Sequence, residues 1–290
     1  MFDAIVCGSL HLDIMVRAPR LPALDETLPG SAWGQQCGGK GGNQAVMVAR
    51  MGARCAMIGR VGADAFGRRL VDNLVEAGVD ASAVTVDPAS GSGMSVAIVD
   101  AQGDYGAVIV SGANLVLPPD SVAAAWDGLG GAAVLVLQNE VPEAVNIALA
   151  GHARASGARV ILNAAPARAM SAALRDQVDI LVVNRVEAAM VADAPVRDAD
   201  EALTVLDRLV QGGRAALITL GADGVVGREG DGAPFLIAGL PVAVRSTHGA
   251  GDAFIGALAA RLARGDTLET AARVANAAAA AHVAGQATTV

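Results

Sequence analysis

The stretch AVLVLQNEVPEAVNIALAGHARASGARVILN, residues 133–163, decides the fold class. It opens with an apolar run at 133–138, continues with a helical segment at 142–155 and closes with a second apolar run at 159–163. Short continuous apolar runs are typical of strands that are covered on both faces of a sheet, as parallel strands are. The stretch therefore predicts a strand, a crossover helix and a second, parallel strand.

The same alternation extends over most of the chain. Further strands are predicted at 4–8, 55–59, 180–184 and 215–221. Further helices are predicted at 43–51, 67–76, 200–211 and 253–264. Strand–helix alternation of this kind predicts an α/β fold with a doubly wound, mostly parallel sheet. A length of 290 residues fits one large domain, 1–290, with a minor appendage.

Two segments break the alternation. Residues 12–37 contain three prolines and no helical period, and residues 91–110 read as two alternating strands around a Gly-Asp turn, which is typical of a hairpin. We infer that the two segments pair into a small separate sheet, a lid over the ligand crevice of the main domain. The alternative is a pair of irregular surface loops.

The composition excludes several classes of protein. Hydrophobic residues make up 53% of the chain, which is enough to bury a large core. The net charge is −8 and aromatic residues make up only 2%, so a nucleic-acid-binding surface is not expected. No apolar run reaches the roughly 20 residues that a membrane-spanning helix needs. We therefore predict small-molecule partners, with no nucleic acid and no membrane.

The cysteines and the start of the chain indicate a cytoplasmic protein. Cys7, Cys37 and Cys55 are odd in number and form no CxxC motif, so neither disulfides nor a zinc site are expected. The first residues lack a basic region and carry Asp3, so they do not resemble a signal peptide.

A glycine-rich segment, GGKGGN at 38–43, surrounds Lys40 and runs directly into a predicted helix. It is not a P-loop, because Gly41 stands where that motif requires Ser or Thr. We predict that the segment holds a polar ligand through Lys40, Asn43 and backbone N–H groups, with Asn43 as the helix N-cap. The alternative is a plain turn followed by a cap.

A second glycine-rich segment, STHGAGDAF at 246–254, opens another predicted helix. The N–H groups of Gly249, Ala250 and Gly251 are the unpaired donors of a helix start, and with the helix dipole they form an anion site. Asp252 beside them is either a residue that stabilises the helix start or a general base next to an anion hole. The second arrangement is what phosphoryl transfer to a hydroxyl needs.

Three further motifs follow predicted strands, where α/β sheets bind their ligands. Asn184 and Glu187 offer oxygen ligands to Mg²⁺, or they form a capping box at a helix start. Residues 219–224, TLGADG, form either a nucleotide-binding turn or a plain β-turn. His11 and Asp13 lie two apart after the first strand, so in an extended segment both side chains point the same way, towards ligand hydroxyls.

Together these motifs resemble the ribokinase (PfkB-type) family of carbohydrate kinases. GGKGGNQAVMVARMGA (38–53) is similar to the N-terminal signature of the family and THGAGDAFIGALAARLARG (247–265) to its C-terminal signature. The likeness extends to NAAPAR (163–168), NRVE (184–187) and TLGADG (219–224). The resemblance implies a three-layer fold with a small β-sheet lid, and a homodimer formed through that lid. It also implies ATP-dependent phosphorylation of a primary hydroxyl of a small sugar, with D-ribose to D-ribose 5-phosphate expected first.

The resemblance also implies roles for single residues. Asp252 matches the catalytic base, and the anion hole corresponds to Gly249, Ala250 and Gly251. The residues that match the sugar site are His11, Asp13, Gly39, Lys40, Gly41, Asn43, Glu140 and Asp252. The residues that match the ATP site are Asn184, Thr219, Gly221, Gly224, Gly251 and Asn276. Glu187 belongs to a motif linked to Mg²⁺, which it would contact through water.

Two positions depart from the family pattern. The family usually carries Asn where this chain has His11, which leaves the identity of the sugar open. It usually carries Asp at the position of Ser246, where that residue helps to bind a monovalent cation, and the C-terminal tail that finishes the cation loop is short here. A potassium requirement is therefore left open.

Several alternatives to a ribose kinase stay open. A nucleoside, fructose or ketodeoxygluconate kinase could share the fold, although Tyr105 is the only aromatic residue of the predicted hairpin at 91–110 to stack on a base. A non-catalytic sugar- or nucleotide-binding protein is disfavoured, because Asp252 and its glycine-rich segment are intact.

Overall fold

The computed structural model describes residues 1–102, 104–210 and 214–286. Its strands are β1 (Phe2–Cys7), β2 (His11–Arg17), β3 (Ala32–Gly38), β4 (Cys55–Gly62), β5 (Asp80–Asp87), β6 (Gly93–Val99), β7 (Tyr105–Val110), β8 (Ala132–Gln138), β9 (Arg159–Asn163), β10 (Ile180–Asn184), β11 (Ala215–Thr219), β12 (Val225–Glu229) and β13 (Phe235–Ile237). Its helices are α1 (Lys40–Arg50), α2 (Ala65–Glu76), α3 (Val122–Gly128), α4 (Glu143–Ala155), α5 (Ala172–Arg175), α6 (Arg185–Ala192), α7 (Ala199–Leu209), α8 (Ala250–Ala263) and α9 (Leu268–Val283).

The large sheet has the strand order β13-β12-β11-β10-β9-β8-β1-β4-β5. The predicted strand–helix–strand unit is confirmed, because β8 and β9 pair in parallel from Val134 opposite Arg159 to Gln138 opposite Asn163. Parallel pairing continues from β11 to β5, whereas β12 and β13 add to one edge in antiparallel register. The sheet is therefore mostly parallel, as predicted, with an antiparallel edge that the alternation did not indicate.

Helices cover both faces of this sheet. Alternate residues of β1 separate into two cores, with Ala4 and Val6 on one face and Ile5 and Cys7 on the other. The first core is closed by α1, α2, α8 and α9, and the second by α3 to α7. Because the strand residues are buried on both faces, they form the continuous apolar runs seen in the sequence. The three-layer arrangement is the one expected.

The two irregular segments pair with each other in a second, four-stranded sheet of order β3-β2-β6-β7. β6 and β7 form the predicted antiparallel hairpin, and β2 lies between β3 and β6. The alternative of two surface loops is therefore wrong. Gly103 in the hairpin turn and Gln211 at the predicted end of α7 lie outside the described residues.

Two helices begin three residues earlier than predicted. Gly39 is the N-cap of α1 with φ of 84°, and Gly249 is the N-cap of α8 with φ of 76°. Both values lie in the left-handed region that glycine adopts at little cost. The prediction of Asn43 as an N-cap is wrong, because Asn43 lies inside the first turn of α1 and its side chain contacts another element.

Among the helices of residues 1–102, 104–210 and 214–286, none has both the length and the apolar character needed to cross a membrane.

Candidate active site

Asp252 lies in the first turn of α8 with 8% of its surface exposed. Its Oδ2 accepts a hydrogen bond of 3.1 Å from the side-chain amide of Asn43, and its Oδ1 accepts one of 2.9 Å from that of Gln44. Burial raises the pKa of the Asp252 carboxyl, and the positive charge of Lys40 and the two amide donors oppose that rise. The carboxyl group is thus desolvated, and two consecutive side chains of α1 hold it in place.

The start of α8 presents the amides predicted to bind an anion. No side chain caps this helix in the part of the chain that the structure describes. The N–H of Ala250 makes a long turn contact of 3.3 Å with the Thr247 carbonyl. An uncapped first turn leaves donors available at the positive end of the helix dipole. Gly249, Ala250 and Gly251 therefore supply local positive potential next to Asp252.

A polar cluster forms where β1 and β8 end and β2 begins, near the start of α1. Glu140 Oε2 accepts hydrogen bonds from the hydroxyl of Ser9 and, at 3.0 Å, from the backbone N–H of Lys40. His11 Nδ1 lies 4.0 Å from the same oxygen. Burial lowers the pKa of the His11 imidazole and so disfavours its charged form, while the nearby Glu140 opposes that shift. The cluster brings together three of the residues matched to the sugar site.

Asp13 lies farther along β2, two residues beyond His11. Its Oδ1 accepts a hydrogen bond from the hydroxyl of Ser95 on β6. His11 itself is flanked by Asn114, whose amide nitrogen lies 3.3 Å from His11 Nε2. Asp13 and His11 therefore both lie on β2 of the small sheet.

Gly39 and Gly41 bring the start of α1 close to the segment between β1 and β2. A Cβ on Gly39 would lie 2.8 Å from the Ser9 carbonyl oxygen, and a Cβ on Gly41 would lie 2.7 Å from the backbone nitrogen of Ser9. Only glycine permits this approach. Both glycines therefore pack against Ser9 and its neighbours. The start of α1 thus lies close enough for the Lys40 N–H to bind Glu140.

A cavity of about 780 Å³ lies on the other side of the α8 start. It is lined by all of the residues matched to the ATP site: Asn184, Thr219, Gly221, Gly224, Gly251 and Asn276. The remaining lining is largely apolar and includes Val186 and Val244, which are 71% and 65% exposed. Exposed apolar side chains around a cleft are typical of a ligand site.

Asn184 and Glu187 form the capping box that the sequence left as one alternative. The Asn184 side chain accepts from the Glu187 N–H at 2.9 Å, and Glu187 Oε2 accepts from the Asn184 N–H at 2.8 Å. Glu187 is buried, and burial raises the pKa of its carboxyl. Among the described residues no group of three or more acidic, histidine or cysteine side chains could hold a metal. This donor set fits Mg²⁺ only where phosphate and water supply most of the oxygens.

The loop at Ser246 does not fit a charged cation site. Residues 245–249 contain no carboxylate. The hydroxyl of Ser246 accepts a hydrogen bond of 3.2 Å from the His248 N–H. The His248 carbonyl lies 2.9 Å from His282 Nε2, which must carry a proton because a carbonyl oxygen can only accept. The Ser246 hydroxyl and the His248 carbonyl are therefore engaged within the protein.

Sequence reasoning missed four residues of this region. Ser9, Gln44, Asn114 and Gln138 are all buried and hydrogen-bonded to site residues or to each other. A signal existed for Gln44, which is a polar residue among the apolar positions of α1. The signal could not show which distant carboxylate that amide meets.

Comparison with known proteins identifies relatives over nearly the whole chain. Residues 1–290 match the family described as pfkB family carbohydrate kinase. Ribokinase of Bacillus subtilis (strain 168) is 33% identical over 283 residues, which are 98% of this chain and 93% of that protein. Deoxyribokinase of Salmonella typhi is 31% identical over 288 residues, 99% of this chain and 94% of that protein. The structure of Arabidopsis thaliana ribokinase complexed with ribose and ATP has a TM-score of 0.91 at 29% identity, covering 97% of this chain and 92% of that one.

Proposed function

The chain belongs to the pfkB family of carbohydrate kinases and is an ATP-dependent sugar kinase, and from that premise we propose D-ribose as its acceptor and D-ribose 5-phosphate as its product. One observation carries the proposal. The first turn of α8 places the Asp252 carboxylate on the side of the polar cluster and Gly251 in the wall of the 780 Å³ cavity. A base and an anion hole thus separate a polar acceptor site from a larger nucleotide site.

The acceptor side supports a small sugar. Its side chains are short and polar, with Ser9 and Glu140 joined by a hydrogen bond and Asp13 bound to Ser95. Carboxylates held in this way accept hydrogen bonds from hydroxyl groups, which is the chemistry that recognises a sugar. The deoxyribokinase relative makes 2-deoxyribose the second candidate acceptor.

The nucleotide side supports ATP. The cavity combines an apolar wall, which suits a planar base, with the side chains of Asn184 and Asn276. Its inner end is the uncapped start of α8, which suits the phosphates. An acidic protein with net charge −8 can therefore hold an anionic ligand through local donors.

In the proposed reaction, Asp252 takes the proton of the acceptor hydroxyl as the oxygen attacks the γ-phosphorus of ATP. The amides of Gly249, Ala250 and Gly251 stabilise the charge on the transferring phosphoryl group. Lys40 adds a positive charge at the start of α1, and that charge lowers the pKa of both Asp252 and Glu187. The bond from the γ-phosphorus to the β-phosphate oxygen breaks, and ADP leaves with that oxygen.

Two further assignments accompany this reaction. Mg²⁺, held by ATP phosphates and by Glu187 through water, would supply charge neutralisation at the phosphates. The small sheet of β2, β3, β6 and β7 is the lid of a single domain, and closing it over the acceptor would exclude water that could hydrolyse ATP.

A coupled ADP-release assay tests the acceptor. We expect ribose to give the highest kcat/KM among ribose, 2-deoxyribose, fructose, ketodeoxygluconate and nucleosides. Because the Ser246 loop lacks a charged ligand, we expect the rate to change little when potassium replaces a large organic cation. A higher kcat/KM with deoxyribose or another sugar would correct the acceptor, and no ADP from any acceptor would overturn the proposed function.

We also propose a homodimer formed through the small sheet. Directly paired residues of neighbouring strands share a face, and the pairs Val16–Trp33 and Val96–Val108 lie on the face opposite Asp13. Trp33 and Val108 are 71% and 68% exposed. A contiguous apolar sheet face of this kind is typical of a surface that a partner covers.

Replacing Val108 with aspartate is expected to dissociate this dimer, because the charge would be buried against the apolar face of the second copy. Size-exclusion chromatography with light scattering should give twice the chain mass of 28.9 kDa for the wild type and a single chain for the variant. Leu236→Asp is the matched control, because Leu236 is also exposed but lies on β13 of the large sheet. A monomeric wild type, or a variant that stays dimeric, would contradict the interface.

A further inference from the structure

A pair of buried glutamines lies directly beneath Asp252. Gln44 on α1 is fully buried, and its Nε2 lies 2.9 Å from Asp252 Oδ1. Gln138 at the end of β8 is also fully buried, and its Nε2 lies 2.7 Å from Gln44 Oε1. The two amides therefore form a chain that leads from the carboxylate into the protein interior.

The orientation of both amides in this chain is fixed. A carboxylate can only accept hydrogen bonds, so Gln44 must turn its NH₂ towards Asp252 and its oxygen towards a donor. That donor is the NH₂ of Gln138, whose own oxygen has no partner among the residues that the structure describes. The Gln138 oxygen occupies the space beside Gly8, where a Cβ would lie 1.8 Å from it.

Core packing alone does not account for these two side chains. Neighbouring positions of α1 that face the same core are Ala45, Met47 and Val48. Burying an amide costs free energy unless every polar atom is paired, and no described residue pairs with the Gln138 oxygen. Apolar side chains of similar size would fill the same space without that cost. The contact between Gln44 and Asp252 therefore offers the explanation for two buried amides at these positions.

We propose that Gln44 is a positioning residue for the base: it holds Oδ1 of Asp252 and leaves Oδ2 as the oxygen that takes the acceptor proton, while Gln138 holds Gln44 in its donating orientation. The inference rests on the proposed function, in which Asp252 is the base. Asn43 and Asp252 line a cavity of about 250 Å³ that does not include Gln44, so the Asn43 side of the carboxylate is the accessible one. Asn43 can be displaced by an acceptor, whereas Gln44 cannot.

Other charged and titratable groups also face this carboxylate. Lys40 on α1 lowers the pKa of Asp252, and Glu140 after β8 raises it. His248 and His282, from the loop before α8 and from α9, line the same 250 Å³ cavity. Among the described residues the side-chain hydrogen bonds of Gln44 run to Asp252 and Gln138, so a change at Gln44 removes one hydrogen-bond donor and leaves the surrounding charges in place.

Replacing Gln44 with methionine tests the proposal, because methionine has a similar volume and no donor. We expect kcat to fall about tenfold, with the KM values for sugar and ATP changed by less than about twofold. The acid limb of the kcat/KM profile should move up by about one pH unit, because losing a donor to the ionised carboxylate raises its pKa. Gln138→Met should give a smaller change in the same direction.

The control is Leu149→Ala, which loses packing on α4 at the opposite face of the sheet and should destabilise the fold without moving the acid limb. If Gln44→Met leaves the acid limb in place, or lowers kcat only in proportion to the folded fraction, the positioning role is overturned. NMR titration of the Asp252 carboxyl without substrates separates this result from the proposed function. A pKa that is higher in Gln44→Met supports the inference even if no sugar is phosphorylated, and an unchanged pKa overturns it.

Discussion

Replacing Asp252 with asparagine is expected to lower kcat by about 10²- to 10⁴-fold, the range that a general base contributes. Asparagine keeps the size of the side chain and can still accept a hydrogen bond from Gln44, but it cannot take up the hydroxyl proton. Sugar binding should be nearly unchanged, because Glu140, His11 and Asp13 are held by partners other than Asp252. The loss should therefore appear in kcat rather than in the affinity for sugar.

The measurement combines turnover by ADP release with sugar affinity by calorimetry. Asp266→Asn is the matched control, because it also removes one carboxylate, here from an ion pair of 2.6 Å with Arg261 at the other end of α8. That variant should keep its turnover. An Asp252→Asn enzyme with near-normal kcat would show that Asp252 is not the base.

The pH dependence of the wild type follows from the same residue. Burial raises the pKa of Asp252, and the reaction needs the ionised form. Activity should therefore be complete above that pKa and be lost as the pH falls through it, at a higher pH than for an exposed aspartate. The kcat/KM profile measures this limb directly.

The fold was largely predictable because strands that are buried on both faces of a sheet appear in the sequence as continuous apolar runs. The apolar runs at 133–138 and 159–163 contain few polar residues, and the helix between them fixes the parallel connection. The edge strands β12 and β13 were not predicted. They pair in antiparallel register at the border of the sheet, and β13 has only three residues, which is too short for a recognisable period.

Contacts in the site were predictable where the residues lie close together in the sequence. Contacts between residues far apart in the sequence were not. The capping box of Asn184 and Glu187 lies within four residues, so the sequence contained both alternatives. Gln44 meets Asp252 from a position 208 residues away. No local pattern could show that contact, or the one between Ser9 and Glu140, because both depend on how the helices and strands pack.

Replacing Gly249 with valine is expected to lower kcat by about 10²- to 10³-fold, similar to the loss of an oxyanion-hole donor. Gly249 is the N-cap of α8 at φ of 76°, a conformation that a β-branched residue adopts only with strain. A Cβ at this position would also lie 3.1 Å from His282 Nε2, the atom that binds the His248 carbonyl. The side chain would therefore displace the loop that presents the first-turn amides of α8.

Gly157→Val is the matched control for this variant. Gly157 has φ of 85° and nothing within 4 Å of a built Cβ, so valine there introduces the same backbone strain without a collision. It follows α4 on the opposite face of the sheet, and its variant should lose stability but keep kcat. Thermal unfolding and ADP release measure the two effects separately. If both variants lose stability and neither loses kcat, the amides at the start of α8 do not stabilise the transferring phosphoryl group, and the anion hole lies elsewhere.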